Sequence, residues 1–235
     1  MRTERAAAGG PFAPAAACDY DGPMIEPTLL LLIRHGETDW NADARIQGHT
    51  DIELNARGHA QAQALAGALA DAELDAIYCS DLTRAQQTAA PLAQRLGLEP
   101  RLDAALRERA FGAFEGSSFV ELERVHPQDC ARWRARDPEF AAPGGERLDA
   151  FYARVTSAAL RIAAAHPGRS VALVSHGGAL DCLYRHASGQ SLAAPRSWEL
   201  RNAAINRVLV AEGRMTLVGW NDAAHLDAVL DEISH

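Results

Sequence analysis

The chain has 235 residues, of which 48% are hydrophobic and 23% charged, the ordinary composition of a soluble globular protein. The length suits one large domain or two small ones. Its formal net charge of −8 argues against a nucleic-acid-binding protein, because such proteins are usually basic. No apolar run approaches the ~20 residues of a membrane span, so we expect no membrane partner.

The four cysteines carry no signature of a metal site. None belongs to a C-x-x-C pair, and their spacing fits no common zinc pattern. In a chain of this length, reduced thiols in a cytoplasmic protein are the simplest expectation. The cysteines are Cys18, Cys79, Cys130 and Cys182.

The first 27 residues are rich in Ala, Gly and Pro and lack periodicity, so we predict a disordered tail at 1–27 and one domain at 28–235. A signal peptide is the alternative, since arginines precede an Ala-rich stretch that ends at Cys18. Glycines and prolines interrupt that stretch, which argues against export. A further hypothesis is that Met24 is the native start.

Beyond the tail, strand-like and helix-like segments alternate. Residues 28–33 and 170–175 are continuous apolar runs, as expected for strands buried on both faces. A helix at 81–96 has Asp81 as its predicted N-cap and Gly97 as its stop. The predicted strands are 28–33, 75–79, 170–175 and a hairpin of 203–211 with 215–220; the predicted helices are 57–70, 81–96, 118–134, 146–165 and 177–186.

This order of elements predicts an α/β fold, a three-layer sandwich with a mostly parallel central sheet and helices on both faces. The stretch 109–143 interrupts the alternation, and we interpret it as a small insertion that forms a lid or side wall. In open α/β sheets, ligands bind beyond the carboxyl ends of the strands. The site is therefore expected at that edge.

Two strands end in the same chemical signature. The first continues into IRHG at 33–36 and the second into SHGG at 175–178. If the strands are parallel neighbours, both imidazoles emerge at one edge, where each glycine lets a ligand approach the backbone. Two histidines with nearby carboxylates are also compatible with a metal site. Arg34 beside His35 opposes a cation and favours an anion.

Two further segments offer charged groups to this edge. Arg84 follows a strand end in the first turn of a helix, where the helix dipole disfavours a cation, so a role in anion binding explains its placement better than a surface position. In the segment LRERAFGAFEG at 106–116, spacing alone allows either Glu108 or Glu115 to be a site acid. A solvated loop carboxylate is the default for both.

Together these motifs resemble the histidine phosphatase superfamily, the phosphoglycerate-mutase-like group of branch 1. The resemblance covers nearly the whole chain from residue 28 onward. It rests on RHGETDWN at 34–41, RIQG at 45–48, SDLTRAQQT at 80–88, LRERAFGAFEG at 106–116, PGGE at 143–146 and SHGG at 175–178.

The resemblance implies a phosphoryl transfer to His35, which attacks phosphorus as a neutral imidazole. Arg34, Arg84 and His176 match the phosphate pocket of the family, and the two arginines stabilise the charge of the transition state. Glu108 matches the proton donor, which protonates the leaving alcohol and then activates water. No metal or other cofactor is implied, because protein cations replace magnesium.

Other positions match the substrate-facing parts of the family. Asn41 adds an amide donor to the phosphate, and Gln47 and Gly48 match a loop that borders the substrate. Gly177 follows the second histidine and is assigned to phosphate binding. Glu115 is assigned to structure.

A phosphomonoester hydrolase is favoured over a mutase. The segment between Glu108 and His176 is short, whereas cofactor-dependent mutases carry an extra segment there. Mutases also have ERHYG around the acid, where this chain has ERAFG at 108–112. Phe114 departs mildly from the phosphatase pattern, which has tryptophan. The alternatives are a cofactor-dependent phosphoglycerate mutase and a catalytically weak ligand-binding module on the same fold.

The expected substrate is a small phosphate ester. Arg132, Arg134 and Arg136 alternate with Trp133 and either contact a second anionic group of the substrate or form a solvated face. A homodimer through the sheet edge or exposed helices is a further expectation.

Overall fold

The computed structural model describes residues 26–227. The predicted disorder of the tail, the signal-peptide alternative and the hypothesis about Met24 concern residues that lie outside this range, apart from Glu26 and Pro27. The carbonyl of Glu26 accepts a hydrogen bond from the amide of Gly168 at 3.1 Å. Glu26 therefore contacts the loop before the strand Ser170–Ser175, and the predicted boundary between tail and domain stays a prediction.

A six-stranded sheet with the order β3-β2-β4-β1-β5-β6 forms the centre of the molecule. Four strands are parallel, and β5 and β6 form an antiparallel hairpin at one edge, so the sheet is mixed. The prediction of a mostly parallel sheet that ends in a hairpin is confirmed. The strands are β1 Thr28–Arg34, β2 Ala76–Cys79, β3 Arg101–Leu102, β4 Ser170–Ser175, β5 Ile205–Ala211 and β6 Arg214–Asp222.

Seven α-helices accompany the sheet within residues 26–227, and four of them make up its outer layers. The helices α2 and α3 cover one face, while α6 and α7 cover the other. The three-layer α/β sandwich is thereby confirmed. The helices are α1 Asp39–Ala42, α2 Ala56–Ala68, α3 Thr83–Leu96, α4 Phe119–Val125, α5 Pro127–Arg134, α6 Leu148–Ala164 and α7 Gly177–Ser188.

The apolar run of β1 is buried on both sides because successive side chains of a strand point to opposite faces. Leu30 and Leu32 pack in the cluster with α6 and α7, whereas Leu31 and Ile33 pack in the cluster with α2 and α3. This double burial fixes the central strand firmly. The strand end that carries the first histidine is therefore rigid.

The predicted start of the helix at 81–96 is wrong. The helix begins at Thr83, and its N-cap Leu82 makes no side-chain cap. The carboxylate of Asp81 instead accepts two hydrogen bonds from Arg107 at 2.6 Å. Asp51, which is remote in sequence, accepts a hydrogen bond from the amide of Thr83 at 2.7 Å. It thereby gives a partner to an amide at the start of the helix. The predicted stop at Gly97 is confirmed, with φ at 65°.

The predicted helix at 118–134 is two helices, α4 and α5, which meet at Pro127. Proline has no amide hydrogen and disfavours helical geometry in the residue before it, so the chain breaks at His126. The insertion has a small core of its own, formed by Phe114, Leu122, Cys130, Phe140 and Ala142. No helix between residues 26 and 227 is long and apolar enough to cross a membrane.

Candidate active site

The two histidines that follow apolar strands meet at the carboxyl edge of the sheet. Strands β1 and β4 are parallel neighbours, with Arg34 opposite Ser175, so His35 and His176 follow at the same level. Their ring centroids lie 5.1 Å apart with an interplanar angle of 58°. Both side chains are buried, with His35 only 3% exposed. The structure thus brings the two predicted histidines together.

His35 is held as a neutral imidazole with a defined tautomer. Its Nδ1 lies 2.7 Å from the carbonyl oxygen of Gly36. Because a carbonyl only accepts, Nδ1 carries the hydrogen and Nε2 keeps its lone pair. Burial, and then the charges of Arg84 and Arg34, lower the pKa of His35 well below its ordinary value. The arrangement supplies a nucleophilic nitrogen near neutral pH.

Gly36 has a packing role that the sequence did not indicate. A Cβ at this position would lie 2.6 Å from the carbonyl oxygen of Gly58, at the start of α2. The glycine is therefore needed for close packing between two backbone segments. The expectation that it also provides clearance for a ligand stays a prediction.

Arg84 projects from the first turn of α3 into the buried centre of the site. Its two terminal nitrogens donate to the carbonyls of Thr50 at 3.0 Å and Gly48 at 2.8 Å. Its Nε donates to Nδ1 of His176 at 3.2 Å. His176 Nδ1 therefore accepts, and the hydrogen of the neutral ring is on Nε2. That Nε2 is buried without a partner among residues 26–227.

The charge of Arg84 also acts on the second ring. Burial, followed by the charge of Arg84, lowers the pKa of His176 well below its ordinary value. The ring stays neutral, with an Nε2 hydrogen that a phosphoryl oxygen can accept. His176 is thus a donor at this site, and His35 holds the free lone pair.

These two pKa values make the stability of the fold depend on pH. Below about pH 6.5, these two histidines bind protons in the unfolded chain but stay neutral in the folded chain. The free energy of unfolding therefore falls as pH falls. The free energy of unfolding of the wild type should fall between about pH 7.5 and about pH 5.5. We expect that of the His176→Gln variant to fall by roughly 1.4 kcal/mol less. Urea denaturation at the two pH values measures this difference.

The matched control for this prediction is His59→Gln, which changes an exposed histidine of α2. Its loss of stability between the two pH values should equal that of the wild type. A His176→Gln variant with the wild-type pH dependence would contradict the assignment of a neutral His176.

Arg34 offers a second donor to the same space. One terminal nitrogen donates to the carbonyl of Leu200 at 2.5 Å, while its Nε is buried without a partner in the described range. Burial lowers the pKa of Arg34 to about 10, against the opposing charge of Glu108, so the guanidinium stays protonated at neutral pH. The unpaired donors of Arg34 and His176 suit an anion.

Glu108 lies at the same pocket and is fixed through the start of α7. Its Oε2 accepts from the amide of Gly178 at 2.9 Å, and its Oε1 accepts from the amide of Arg109 at 2.8 Å. A Cβ at position 178 would lie 2.2 Å from Oε1. The carboxylate therefore requires a glycine at 178. Sequence reasoning assigned Gly177 and missed this role of the neighbouring glycine.

We expect the Gly178→Ala variant to lower kcat/KM by about 10²-fold, because a methyl group displaces the Glu108 carboxylate from the reacting oxygen. Steady-state hydrolysis of a phosphate ester measures the loss. Gly67→Ala in α2 is the matched control, since nothing lies within 4 Å of its added Cβ. Full activity of Gly178→Ala would contradict the placement of Glu108.

The structure distinguishes Glu108 from Glu115. Glu115 accepts from the amides of His49 at 3.0 Å, Thr50 at 2.8 Å and Phe111 at 2.9 Å, and from the Thr50 hydroxyl at 2.5 Å. Burial opposes its ionisation, but these hydrogen bonds outweigh it and lower the pKa of Glu115. It joins the loop at 47–50 to the insertion and does not line the pocket.

Asn41 is oriented by the turn that follows the first histidine. Its Oδ1 accepts from the Thr38 amide at 3.2 Å, within a capping box of α1, and from Asn202 Nδ2 at 3.3 Å. Because the side-chain oxygen of Asn41 already accepts these hydrogen bonds, its side-chain nitrogen can donate into the pocket. Asn202, which no sequence motif indicated, also donates to the carbonyl of His35 at 2.9 Å.

The predicted loop at Gln47 and Gly48 borders the same pocket. Gln47 is 8% exposed, and its Oε1 has no partner among residues 26–227. Gly48 has a φ of +56°, and a Cβ there would lie 2.1 Å from a carboxylate oxygen of Glu115. Its carbonyl orients Arg84, so this glycine contributes through its backbone.

The pocket that these groups surround has a volume of about 260 Å³. It also has lining residues to which sequence reasoning gave no role in the site. Four of these seven lie within the motifs quoted above, and the other three lie outside them. A cavity of about 450 Å³ beside β3 is larger, but none of the predicted site residues lines it. The smaller pocket is the candidate site because the chemical groups meet there. The unassigned lining residues are Arg45, Ile46, Phe111, Trp133, Gly178, Arg196 and Leu200.

The three arginines around Trp133 are engaged outside this pocket. Arg132 pairs with Asp137 at 2.8 Å, and Arg134 pairs with Glu123. Arg136 pairs with Asp181 at 2.5 Å and lines an adjacent cavity. Within the described range, no group of three or more His, Cys, Asp or Glu side chains is arranged to hold a metal ion.

Comparison with known proteins agrees with the resemblance seen in the sequence. The model of the histidine phosphatase superfamily (branch 1) matches residues 30–223. "Phosphoglycerate mutase-like protein 4" of Arabidopsis thaliana is 35% identical over 212 residues, which cover 88% of this chain and 91% of that protein. "Metal-independent phosphoserine phosphatase" of Arabidopsis thaliana is 34% identical over 207 residues, which cover 87% of this chain and 85% of that protein.

A solved structure shows the same fold. Mycobacterial glucosyl-3-phosphoglycerate phosphatase superposes with a TM-score of 0.75 at 32% identity, and the match covers 83% of this chain and 99% of that one. The predicted family is confirmed by these comparisons.

Proposed function

This chain belongs to the histidine phosphatase superfamily, branch 1, and on that premise we propose that it hydrolyses phosphomonoesters through a phosphohistidine on His35. One observation carries the proposal: His35 with its free lone pair, Arg34 with its unpaired Nε and the carboxyl group of Glu108 line a single pocket, and the buried ring of His176 lies beside His35 with ring centroids 5.1 Å apart. These are a nucleophile, an anion-binding set and a proton donor in one place.

In the first step, His35 Nε2 attacks phosphorus and the bond to the leaving oxygen breaks. Arg34, Arg84 and the Nε2 hydrogen of His176 stabilise the charge that develops on the other phosphoryl oxygens. Glu108, in its protonated form, gives its proton to the leaving alcohol. Throughout both steps the hydrogen of His35 stays on Nδ1, which donates it to the carbonyl oxygen of Gly36.

In the second step, the Glu108 carboxylate takes a proton from water as the water oxygen attacks phosphorus. The bond between His35 and phosphorus breaks, inorganic phosphate leaves, and Glu108 is again protonated. Arg45 and Arg196 at the pocket rim are exposed, which supports access of water to the phosphoenzyme. Access of water favours hydrolysis over return of the phosphoryl group to a substrate.

The reaction is proposed to need no metal ion. Two buried guanidinium groups, Arg34 and Arg84, supply the positive charge that stabilises the transferred phosphoryl group. The activity should therefore persist after extensive treatment with a chelator.

The test is hydrolysis of p-nitrophenyl phosphate by the purified protein in the presence of a chelator. Turnover with release of inorganic phosphate supports the proposal. A mutase would interconvert 2- and 3-phosphoglycerate with a bisphosphoglycerate requirement and release little phosphate. A binding module would show neither turnover nor a phosphoenzyme but would retain ligand binding.

A cytoplasmic location is proposed with this function. Cys79, Cys130 and Cys182 are buried free thiols, which suits a reducing compartment. A homodimer stays a prediction.

A further inference from the structure

The loop at 47–50 contains a histidine that the proposed function does not use. The carbonyls on either side of His49, those of Gly48 and Thr50, accept from Arg84 at 2.8 Å and 3.0 Å. The half-buried imidazole of His49 makes a different contact, since its Nε2 lies 2.8 Å from the carbonyl oxygen of Glu108. Because a carbonyl only accepts, Nε2 donates. His49 therefore joins the segment that holds Arg84 to the segment that carries the proposed proton donor.

The carbonyl that His49 holds belongs to the same peptide unit as an amide that holds the Glu108 carboxylate. The amide of Arg109 donates to Oε1 of Glu108 at 2.8 Å. A peptide unit is planar and trans, so its carbonyl and its amide hydrogen point in opposite directions and turn together. A hydrogen bond that fixes the carbonyl of Glu108 therefore also fixes the direction of the Arg109 amide, and through it the carboxylate.

A second donor reaches the same carbonyl from α6, but that donor is shared. One terminal nitrogen of Arg154 donates to the carbonyl of Glu108 at 3.1 Å and also to Glu146 at 2.7 Å. The other terminal nitrogen donates to two further carbonyls. The contact from His49 is shorter, and its ring nitrogen has a single hydrogen to give. His49 is therefore the more dedicated support of this peptide unit.

The position of the loop does not depend on the imidazole. Glu115 accepts from the amides of His49 and Thr50 and from the Thr50 hydroxyl. These contacts, and those of the loop carbonyls with Arg84, use no atom of the His49 side chain. They persist when that side chain is truncated. The loss of the imidazole should therefore act on Glu108 and leave Arg84 in place.

We propose that His49 is a positioning residue for Glu108. Its Nε2 hydrogen bond orients the peptide unit between residues 108 and 109 and so directs the carboxyl group to the leaving oxygen. The inference rests on the proposed function, in which Glu108 gives a proton to the leaving alcohol. His49 is not one of the described residues that line the pocket, so it acts through Glu108 and not on the substrate.

The test compares two esters whose leaving groups differ in their need for a proton. Glycerol 3-phosphate releases an alcohol, whereas p-nitrophenyl phosphate releases nitrophenolate. His49→Ala should lower kcat/KM for glycerol 3-phosphate by roughly tenfold or more, because the acid is misdirected, and that for p-nitrophenyl phosphate by less than about threefold. Equal losses for both esters would overturn the inference, since they would indicate damage to the phosphate site that both esters use.

Two substitutions at the same position separate the donor from the bulk of the ring. His49→Gln keeps a side-chain donor at about the reach of Nε2 and should recover most of the lost rate, whereas His49→Leu keeps bulk without a donor and should not. Equal rates with glycerol 3-phosphate in these two variants would contradict the inference. His59→Ala, at an exposed position of α2, is the matched control and should leave both rates unchanged.

A double variant tests whether the two residues act on the same proton transfer. Added to Glu108→Gln, His49→Ala should lower kcat/KM for glycerol 3-phosphate by less than about threefold more, because the group that it positions no longer gives a proton. If the two losses simply multiply, His49 acts independently of Glu108 and the inference is wrong.

Hydrogen exchange tests the contact without turnover. The amide of Arg109 is held by Glu108 Oε1, and His49→Ala should speed its exchange by about tenfold, with recovery in His49→Gln. This result supports the positioning role even if the wild type hydrolyses neither ester, in which case the proposed function alone fails. Unchanged exchange at Arg109 in a folded His49→Ala variant would overturn the inference while leaving the phosphatase intact.

Discussion

The His35→Ala variant should lose phosphatase activity by about 10⁴-fold or more, the loss expected when a covalent nucleophile is removed. His176, the other imidazole at the site, cannot substitute for it. His176 accepts from Arg84 at Nδ1, so its Nε2 carries a hydrogen and has no lone pair with which to attack phosphorus. Initial rates with p-nitrophenyl phosphate measure the effect.

The matched control is His59→Ala, which truncates an exposed histidine and should keep full activity. Thermal denaturation establishes that His35→Ala is folded. A folded His35→Ala variant with more than about a hundredth of wild-type activity would contradict the role of His35, since removing a nucleophile costs far more.

The Glu108→Gln variant should show an effect that depends on the leaving group. For an alkyl phosphate we expect kcat/KM to fall by about 10² to 10⁴-fold, because the leaving alkoxide is no longer protonated. For p-nitrophenyl phosphate the rate of the first step should fall much less, because nitrophenolate can leave without being protonated. The second step still needs Glu108 to activate water. A burst of nitrophenolate followed by slow turnover is therefore expected in stopped-flow measurements.

Glu53→Gln, at an exposed position, is the control for the loss of one carboxylate. Equal losses for the two kinds of ester, without a burst, would show that Glu108 acts on neither the leaving oxygen nor the water. Its contacts with the amides of Arg109 and Gly178 would then be purely structural.

The part of the fold that follows from apolar periodicity was predictable. The runs at β1 and β4 identified two buried strands, and the histidine and glycine after each placed their ends at one edge. The strand β3 was not predicted, because it has two residues, Arg101 and Leu102, and both are exposed. The short helix α1 was missed for a similar reason, since four residues show no periodicity.

Errors at element boundaries came from contacts between distant segments. Asp81 has the chemistry of an N-cap, but Arg107 holds its carboxylate, and Asp51 caps the helix across 32 positions. Local sequence cannot indicate such an exchange of partners. The break at Pro127, by contrast, follows from a local rule, and the predicted single helix overlooked it.

The same distinction applies to the site. Residues within dense motifs, such as His35 and Arg84, were predictable because each motif joins a strand end to polar groups. Arg196, Leu200 and Asn202 lie in a loop between α7 and β5 that has no periodic or motif signal. Arg196 and Leu200 line the pocket, and Asn202 contacts His35 and Asn41, because β5 runs antiparallel to β1 and therefore starts at the carboxyl edge of the sheet.

Detection of the phosphoenzyme tests the central claim most directly. Wild-type protein is mixed with a phosphate ester, quenched in alkali within milliseconds, digested and examined by mass spectrometry under conditions that preserve phosphohistidine. The account predicts one acid-labile phosphoryl group, on the peptide that contains His35, which forms and decays at rates that match turnover. Turnover without any phosphohistidine, or a label on His176 instead, would contradict it.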